Sequence, residues 1–202
     1  MIYISYYTQL TPYEEVIKTH LIPSLNKWSL KYEIKSIKDR GSWQKNTHYK
    51  AEFIKEMLLK YKQSVVFLDA DAIIKNYPIL FDTLNFEQEV DIALHYLDWY
   101  LLWRKQEGNK KIETLSGTLY LNYNKKVLRF LDDWIKENKI SMNWEQRNME
   151  KVLKTWKNKL NIYNLPPEYI CIIMRNGSIP DWYIKGEPII IHYQASRKYK
   201  NK

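Results

Sequence analysis

The chain has 202 residues, 45% of them hydrophobic, which suits one α/β domain with a closed core rather than two domains of ordinary size. A single cysteine, Cys171, excludes an intrachain disulfide and a Cys-based zinc site and points to a reducing, cytoplasmic setting. The 32 Lys and Arg against 23 Asp and Glu, net +9, favour anionic ligands (nucleotide phosphates, nucleic acid or acidic glycans), or else form a solvated Lys-rich surface.

Met1-Ile2-Tyr3-Ile4-Ser5 lacks a basic segment followed by a long apolar run, so neither a signal peptide nor a membrane span is expected. Residues 2–6 read as a strand. Thr11-Pro12-Tyr13-Glu14 resembles a capping box with Pro at the first helical position, followed by an amphipathic helix with Val16, Ile17 and Leu21 on one side. Residues 32–37 alternate like a strand, and Asp39-Arg40-Gly41-Ser42-Trp43 is a loop. Thr47 is a candidate cap for a second helix with Ala51, Ile54, Met57 or Leu58, and Tyr61 inward.

Val65-Val66-Phe67-Leu68 is a short apolar run after a helix, the pattern of a buried parallel strand. Residues 91–95 and 119–121 are further strands, the second entered through Ser116-Gly117. Lys125 to Asn138 is an amphipathic helix with Val127, Leu128, Leu131, Trp134 and Ile135 inward. Asn143-Trp144-Glu145-Gln146 opens another helix, to about Trp156. Residues 160–163 and 188–193 are late strands, and the end of the chain, from Arg197, is basic. Strands alternating with helices predict an α/β fold with a largely parallel central sheet flanked by helices. No repeat, linker or domain boundary interrupts it.

Asp69-Ala70-Asp71 directly follows the apolar run at 65–68. In an extended segment, residues two apart point the same way, so two carboxylates can converge on one cation. Open α/β sheets place ligands at the carboxyl ends of their strands. Two hard oxygen ligands there suit Mg²⁺ or Mn²⁺, with diphosphate oxygens and water completing the shell. The bare motif is weak, since nine Asp in a chain this long give an Asp-x-Asp by chance in roughly every second protein. The plain alternative is a strand-to-turn transition in which Asp bonds nearby backbone.

Residues 65–74 with Pro78 soon after, Ser116-Gly117-Thr118-Leu119-Tyr120-Leu121-Asn122, Glu145-Gln146, and Ile189-Ile190-Ile191-His192-Tyr193 follow one another in the order found in a known family. The chain resembles the DxD-containing GT-A glycosyltransferases, the nucleotide-diphospho-sugar transferase group, and is similar to their retaining galactosyl- and glucosyltransferase relatives. The resemblance implies a single GT-A (Rossmann-like) domain over residues 1–198 with a basic tail at 199–202. It also implies a nucleotide-sugar donor, with UDP the expected nucleotide, and an acceptor hydroxyl on a glycan, a protein or DNA.

It further implies residue roles. Asp71 and Asp69 are expected to bind the metal, Asp69 also touching the donor, and His192 to complete the metal site. Tyr6 or Tyr7 is expected to meet the base. Lys50 is expected to reach the donor, and Ser116 and Gly117 to lie beside the donor sugar. Arg197 and Lys198 are expected to clamp the diphosphate, with Arg suited to bidentate contacts. Glu145 or Gln146 is expected beneath the anomeric carbon, and Asp98 is a candidate for sugar hydroxyls. Each has a plainer reading: a satisfied strand His, strand-end aromatics, a solvated helix Lys, a helix cap. Two positions depart from the family pattern. Leu115 precedes Ser-Gly where Asn is usual, with Asn122 after the strand, and Glu145 stands where Asp is commoner.

Two other functions share some of these features. Haloacid-dehalogenase-like phosphatases also place Asp-x-Asp after an apolar strand, with the first Asp as nucleophile. Here the motif lies far from the start, and the only Asp-Asp pair, Asp132-Asp133, reads as mid-helix. A basic module that binds nucleic acid or glycan without catalysis would use the positive surface and the aromatics. Trp99, Tyr100 and Trp103 suit either a core or an acceptor platform.

Overall fold

A computed structural model describes residues 1–103, 111–174 and 176–195. Arg197, Lys198 and the tail at 199–202 lie outside the described residues. The chain opens with strand β1 (Ile2–Thr8), helices α1 (Pro12–Thr19) and α2 (Leu21–Lys27), strand β2 (Tyr32–Ile37) and helix α3 (Trp43–Tyr61). Strands β3 (Val65–Leu68) and β4 (Ala72–Ile74), helix α4 (Ile79–Glu87), strand β5 (Ile92–Asp98) and the short helix α5 (Trp99–Leu102) follow. Strand β6 (Ile112–Leu121), helices α6 (Lys125–Ile140) and α7 (Glu145–Trp156), and strands β7 (Ile162–Asn164), β8 (Cys171–Ile172) and β9 (Ile190–His192) complete it, with a 3-10 turn at Pro167–Ile170.

Six strands form the central sheet in the order β2-β1-β3-β6-β5-β7. The pairs β1–β2, β1–β3 and β5–β7 are parallel, and only β6 runs against its neighbours, so the sheet is mainly parallel as the alternation of elements predicts. A second sheet, β4-β9-β8, sits beside it.

The alternation of side chains along each strand divides the core in two. Ile2, Ile4, Val65, Phe67, Leu119 and Leu121 pack with α3, α6 and α7 on one face. Tyr3, Val66, Leu68, Ala93 and Tyr120 pack with α1, α2 and α4 on the other. The result is a three-layer α/β/α sandwich. Inside α6, Val127, Leu131 and Trp134 are buried as their spacing predicts, with Phe130 added and Leu128 and Ile135 packed at the margin.

Local chemistry departs from the sequence reading at two helix starts. Thr11 forms no capping box, because its hydroxyl donates to the Thr8 carbonyl at 2.7 Å instead of accepting an amide. α3 begins earlier than expected, and Ser42, not Thr47, is its cap: Ser42 Oγ accepts the Lys45 amide at 3.2 Å. Thr47 lies inside the helix with its hydroxyl on the Gln44 carbonyl. Among the described residues, no helix is long and apolar enough to cross a membrane.

Candidate active site

β1, β3 and β5 end at one edge of the sheet, and the chain builds a large cleft there, of about 1310 Å³. β3 is too short to carry the Asp-x-Asp segment as strand. It stops at Leu68, and Asp69-Ala70-Asp71 forms a turn in which the Ala72 amide donates to the Asp69 carbonyl. The carboxylates therefore converge through a turn and not through the extended alternation expected from sequence. The turn hands the chain to β4, whose pairing with β9 sets Ala72 opposite His192. This register carries His192 to the acidic turn from far along the chain.

The ligand atoms of Asp69, Asp71 and His192 all lie within 4.8 Å of one another. His192 Nδ1 is 3.7 Å from Asp71 Oδ1, and His192 Nε2 shares a 2.8 Å hydrogen bond with Thr118 Oγ1. The tautomer with its proton on Nε2 donates to Thr118 and keeps the Nδ1 lone pair for a ligand. Asp71 is buried, and its Oδ2 accepts the Ala195 amide at 2.7 Å. Burial would raise the Asp71 carboxyl, but when His192 carries both ring protons its charge and its Nδ1–H, together with the Ala195 amide, outweigh burial and hold the pKa below the ordinary value.

Gly117 leaves the room between these groups. A Cβ there would stand 3.0 Å from His192 Cε1, 3.1 Å from Asp69 Oδ2 and 3.2 Å from His192 Nδ1. Asp69 and His192 thus face a space that any other residue would fill, with Asp71 close behind them. Two carboxylates and an imidazole around such a space fit Mn²⁺ or Mg²⁺.

Lys50 projects from α3 into the wall between β3 and β6. Its Nζ lies 2.9 Å from Asp69 Oδ1, 2.6 Å from Glu145 Oε1, and 3.1 Å from Ser116 Oγ. Burial alone would lower the amine's pKa, but Asp69 and Glu145 reverse this and hold it above the ordinary value. Glu145 opens α7; its Oε1 also accepts from Ser116 Oγ, whereas its buried Oε2 has no hydrogen-bond partner. Gln146 Oε1 accepts the Ser116 amide, and Gln146 Nε2 donates to Glu113 Oε1 at 2.7 Å. Lys50, Asp69, Asp71, Ser116, Gly117, Glu145, Gln146 and His192 therefore share one cleft.

Tyr6 and Tyr7 both line it, in different ways. The Tyr6 hydroxyl donates to the Asn46 carbonyl, and its ring packs edge-on against Tyr49 and Phe53. Tyr7 is half-buried at the cleft wall. Asp98 does not line the cleft: its carboxylate caps α5, accepting the Tyr100 and Leu101 amides. Asn122 lies at the far end of β6, bonded to Ser64 and the Gln88 carbonyl, and Leu115 is the cleft residue of that pair. Neither Asp132 nor Asp133 reaches the cleft; they pair with Lys55 and with Trp156 and Lys136 on the outside of α6.

Sequence reasoning missed Asp39, Asn46, Glu113, Thr118 and Trp182. Asp39 Oδ1 accepts from Asn46 Nδ2 and the Gly41 amide, which pins the loop beside Tyr6, whose hydroxyl donates to the Asn46 carbonyl. The signal for that loop was Gly41 itself, whose φ of 90° only glycine adopts readily.

No family profile and no curated protein matches the chain. Solved structures do. A glycosyltransferase involved in glycosylating the major capsid of PBCV-1 superposes with a TM-score of 0.69 at 13% identity, over 98% of this chain and 95% of that one. The bifunctional glycosyltransferase WbbM gives 0.64 at 12% identity, over 96% of this chain and 45% of its own. The galactosyltransferase LgtC, solved with donor and acceptor sugar analogs, gives 0.54 at 11%, covering 96% and 87%. At such identities the likeness is one of fold: the chain has the GT-A architecture of these glycosyltransferases.

Proposed function

We propose that the chain is a metal-dependent glycosyltransferase that moves a sugar from a nucleotide-diphospho-sugar, with UDP as the nucleotide, to an acceptor hydroxyl with retention of configuration. The observation that carries this reading is the convergence of Asp69, Asp71 and His192 on the space beside Gly117, inside the cleft at the carboxyl ends of the strands. A divalent cation held by these three side chains would neutralise the charge of the departing diphosphate.

The remaining residues divide the work. Tyr7 and the loop pinned by Asp39 receive the base. Ser116 and Gly117 bring the β6 backbone close to the donor sugar. Lys50 fixes Asp69 and Glu145 at one distance from each other, so the metal side and the sugar side of the cleft keep their spacing. Glu145 Oε2, buried and without a hydrogen-bond partner, offers negative charge where the anomeric carbon becomes electron-poor.

In the transfer, the bond between the anomeric carbon and the diphosphate oxygen breaks, and the oxygen leaves with the electron pair. The acceptor oxygen forms the new bond on the same face, and its proton passes to the leaving phosphate. Among the described residues, the cleft carboxylates are held in place by neighbouring groups. Glu145 is held by Lys50 and Ser116, Glu113 by Trp99 and Gln146, and Asp39 by Asn46 and Gly41.

The test is calorimetric titration of UDP and UDP-sugars with and without Mn²⁺, beside Asp71→Ala. Mn²⁺-dependent binding that disappears in Asp71→Ala supports the reading, and the tightest sugar identifies the donor. A folded wild type that binds no nucleotide defeats it. NMR of the product settles the stereochemistry, and an inverted anomer defeats retention.

A further inference from the structure

α5 and the start of β6 give the cleft a second wall, unlike the metal side in chemistry. Trp99 and Trp103 line it with their rings nearly parallel, 10° apart in plane with centroids 6.3 Å apart. Trp99 Nε1 donates to Glu113 Oε2 at 2.8 Å, and Trp182 Nε1 donates to the Leu102 carbonyl at 2.9 Å. These two indole N–H groups are bonded within the protein, so Trp99 and Trp182 bring ring surface to the cleft they line. Trp103 is 39% exposed.

This wall is tied to the metal side. From Asp69, hydrogen bonds and ion pairs run through Lys50 to Ser116, from Ser116 to Gln146, from Gln146 to Glu113, and from Glu113 to Trp99. Each member has its partner fixed by the one before. Trp99 therefore sits at a set position relative to the reacting centre, as orientation of a second substrate requires.

We infer that Trp99, Trp103 and Trp182 form the acceptor subsite, and that the acceptor is a saccharide that stacks one C–H face on this aromatic ledge and gives its hydroxyls to Glu113. The word acceptor rests on the glycosyltransferase reading; the saccharide-binding site does not. Three features favour a sugar. A pyranose has an apolar face of C–H bonds and an edge of hydroxyl donors, matching an aromatic plate bounded by a carboxylate. Glu113, bonded to Trp99 at the ledge itself, disfavours a phosphate there, although bases also stack on Trp. The cleft, at 1310 Å³, exceeds the roughly 300–1,000 Å³ of a pocket for one small ligand, as a nucleotide-sugar together with a second saccharide requires.

Saturation-transfer NMR on the whole chain, without nucleotide, tests this with methyl β-D-galactopyranoside, methyl α-D-glucopyranoside and lactose as probes and a thymidine hexanucleotide as the contrast. At least one saccharide is expected to receive saturation on the protons of one ring face. In Trp103→Ala that signal falls about fivefold or more, the size of a lost aromatic contact, while Mn²⁺-dependent UDP binding stays at the wild-type level. Trp99→Phe keeps a ring but loses the bond to Glu113, and an intermediate loss is expected there. The inference is overturned by no saccharide signal in the wild type, or by an equal signal in Trp103→Ala. It is also overturned if the hexanucleotide carries the Trp103-dependent signal, or if UDP binding is lost together with the saccharide. Saccharide binding that depends on Trp103 in a protein that binds no UDP would uphold the ledge and defeat the transferase reading, so the two fail separately.

Discussion

Lys50 Nζ lies 2.6 Å from Glu145 Oε1, with the lysine side chain 4% and the glutamate 9% exposed. The pair joins α3 to the first residue of α7 across the floor of the cleft. A buried ammonium and carboxylate persist only when each has strong partners, and here Asp69 and Ser116 supply the rest. The arrangement makes the geometry of the cleft depend on the stability of the fold.

Removing one partner should expose that dependence. Lys50→Met leaves Glu145 buried without its cation, and a loss of about 3–5 kcal/mol is expected. Glu145→Gln in the Lys50→Met background should recover part of it, because the uncompensated charge is gone. Urea unfolding of the wild type, both single variants and the double variant gives the coupling. Strictly additive losses would show that the two groups do not act as a pair.

Gly117→Ala is a steric probe of the metal group. The new methyl would stand 3.0 Å from His192 Cε1 and 3.1 Å from Asp69 Oδ2, so one of them must shift. Displacing a ligand side chain by a few tenths of an ångström should weaken Mn²⁺ binding about 10–100-fold, the range seen when groups supporting a metal ligand are altered. Mn²⁺ binding followed by electron paramagnetic resonance reads this directly. Affinity unchanged from the wild type would mean that the space beside Gly117 is not where the ion sits.

Sequence alone marked Asp69 and Asp71 as candidates, since a bare Asp-x-Asp is weak and only its place after an apolar β-branched run singles it out. It also made β2, β3 and the helices α6 and α7 legible, since their apolar spacing is clean. β6 was legible only at its end. Before that end Thr114, Ser116 and Thr118 are buried, and buried polar residues break the pattern that marks a strand. β4 and β8 are too short to show a period, and each exists because β9 lies between them. His192 came from the family resemblance and not from its own surroundings in sequence, because only the pairing of β4 with β9 brings it to the turn. Glu113 and Trp182 had no local signal: their roles come from contacts with Trp99, Gln146 and the Leu102 carbonyl.

The shifted start of α3 gives a test of helix capping. Ser42 Oγ accepts the Lys45 amide, whereas Thr47 sits inside the helix. Ser42→Ala should therefore cost about 1 kcal/mol of stability. Thr47→Ala should cost less, since alanine is the better helix former and the lost hydroxyl bonds only within its own turn. Chemical denaturation of the two variants ranks them, and the reverse order would put the cap at Thr47 after all.

His95 gives a pH dependence away from the metal group. It is buried in β5, where Nδ1 donates to the Leu165 carbonyl and Nε2 accepts from the Tyr183 hydroxyl. A carbonyl can only accept, so Nδ1 carries a proton, and burial, which disfavours a second proton on Nε2, keeps the ring neutral at pH 7. Burial lowers its pKa below the ordinary 6.5, against smaller opposing contributions from the Leu165 carbonyl and Glu168. Between the folded pKa and 6.5 the unfolded chain binds this proton and the native chain does not. Stability therefore falls as pH drops through that window and levels off below the folded pKa. One group contributes at most about 1.4 kcal/mol per pH unit. Urea midpoints of the wild type and His95→Asn, compared from about pH 7 down to about pH 5, should converge as pH falls, because the variant has no proton to take up at this position. Parallel curves would mean that His95 titrates alike in both states and that its burial does not govern its charge.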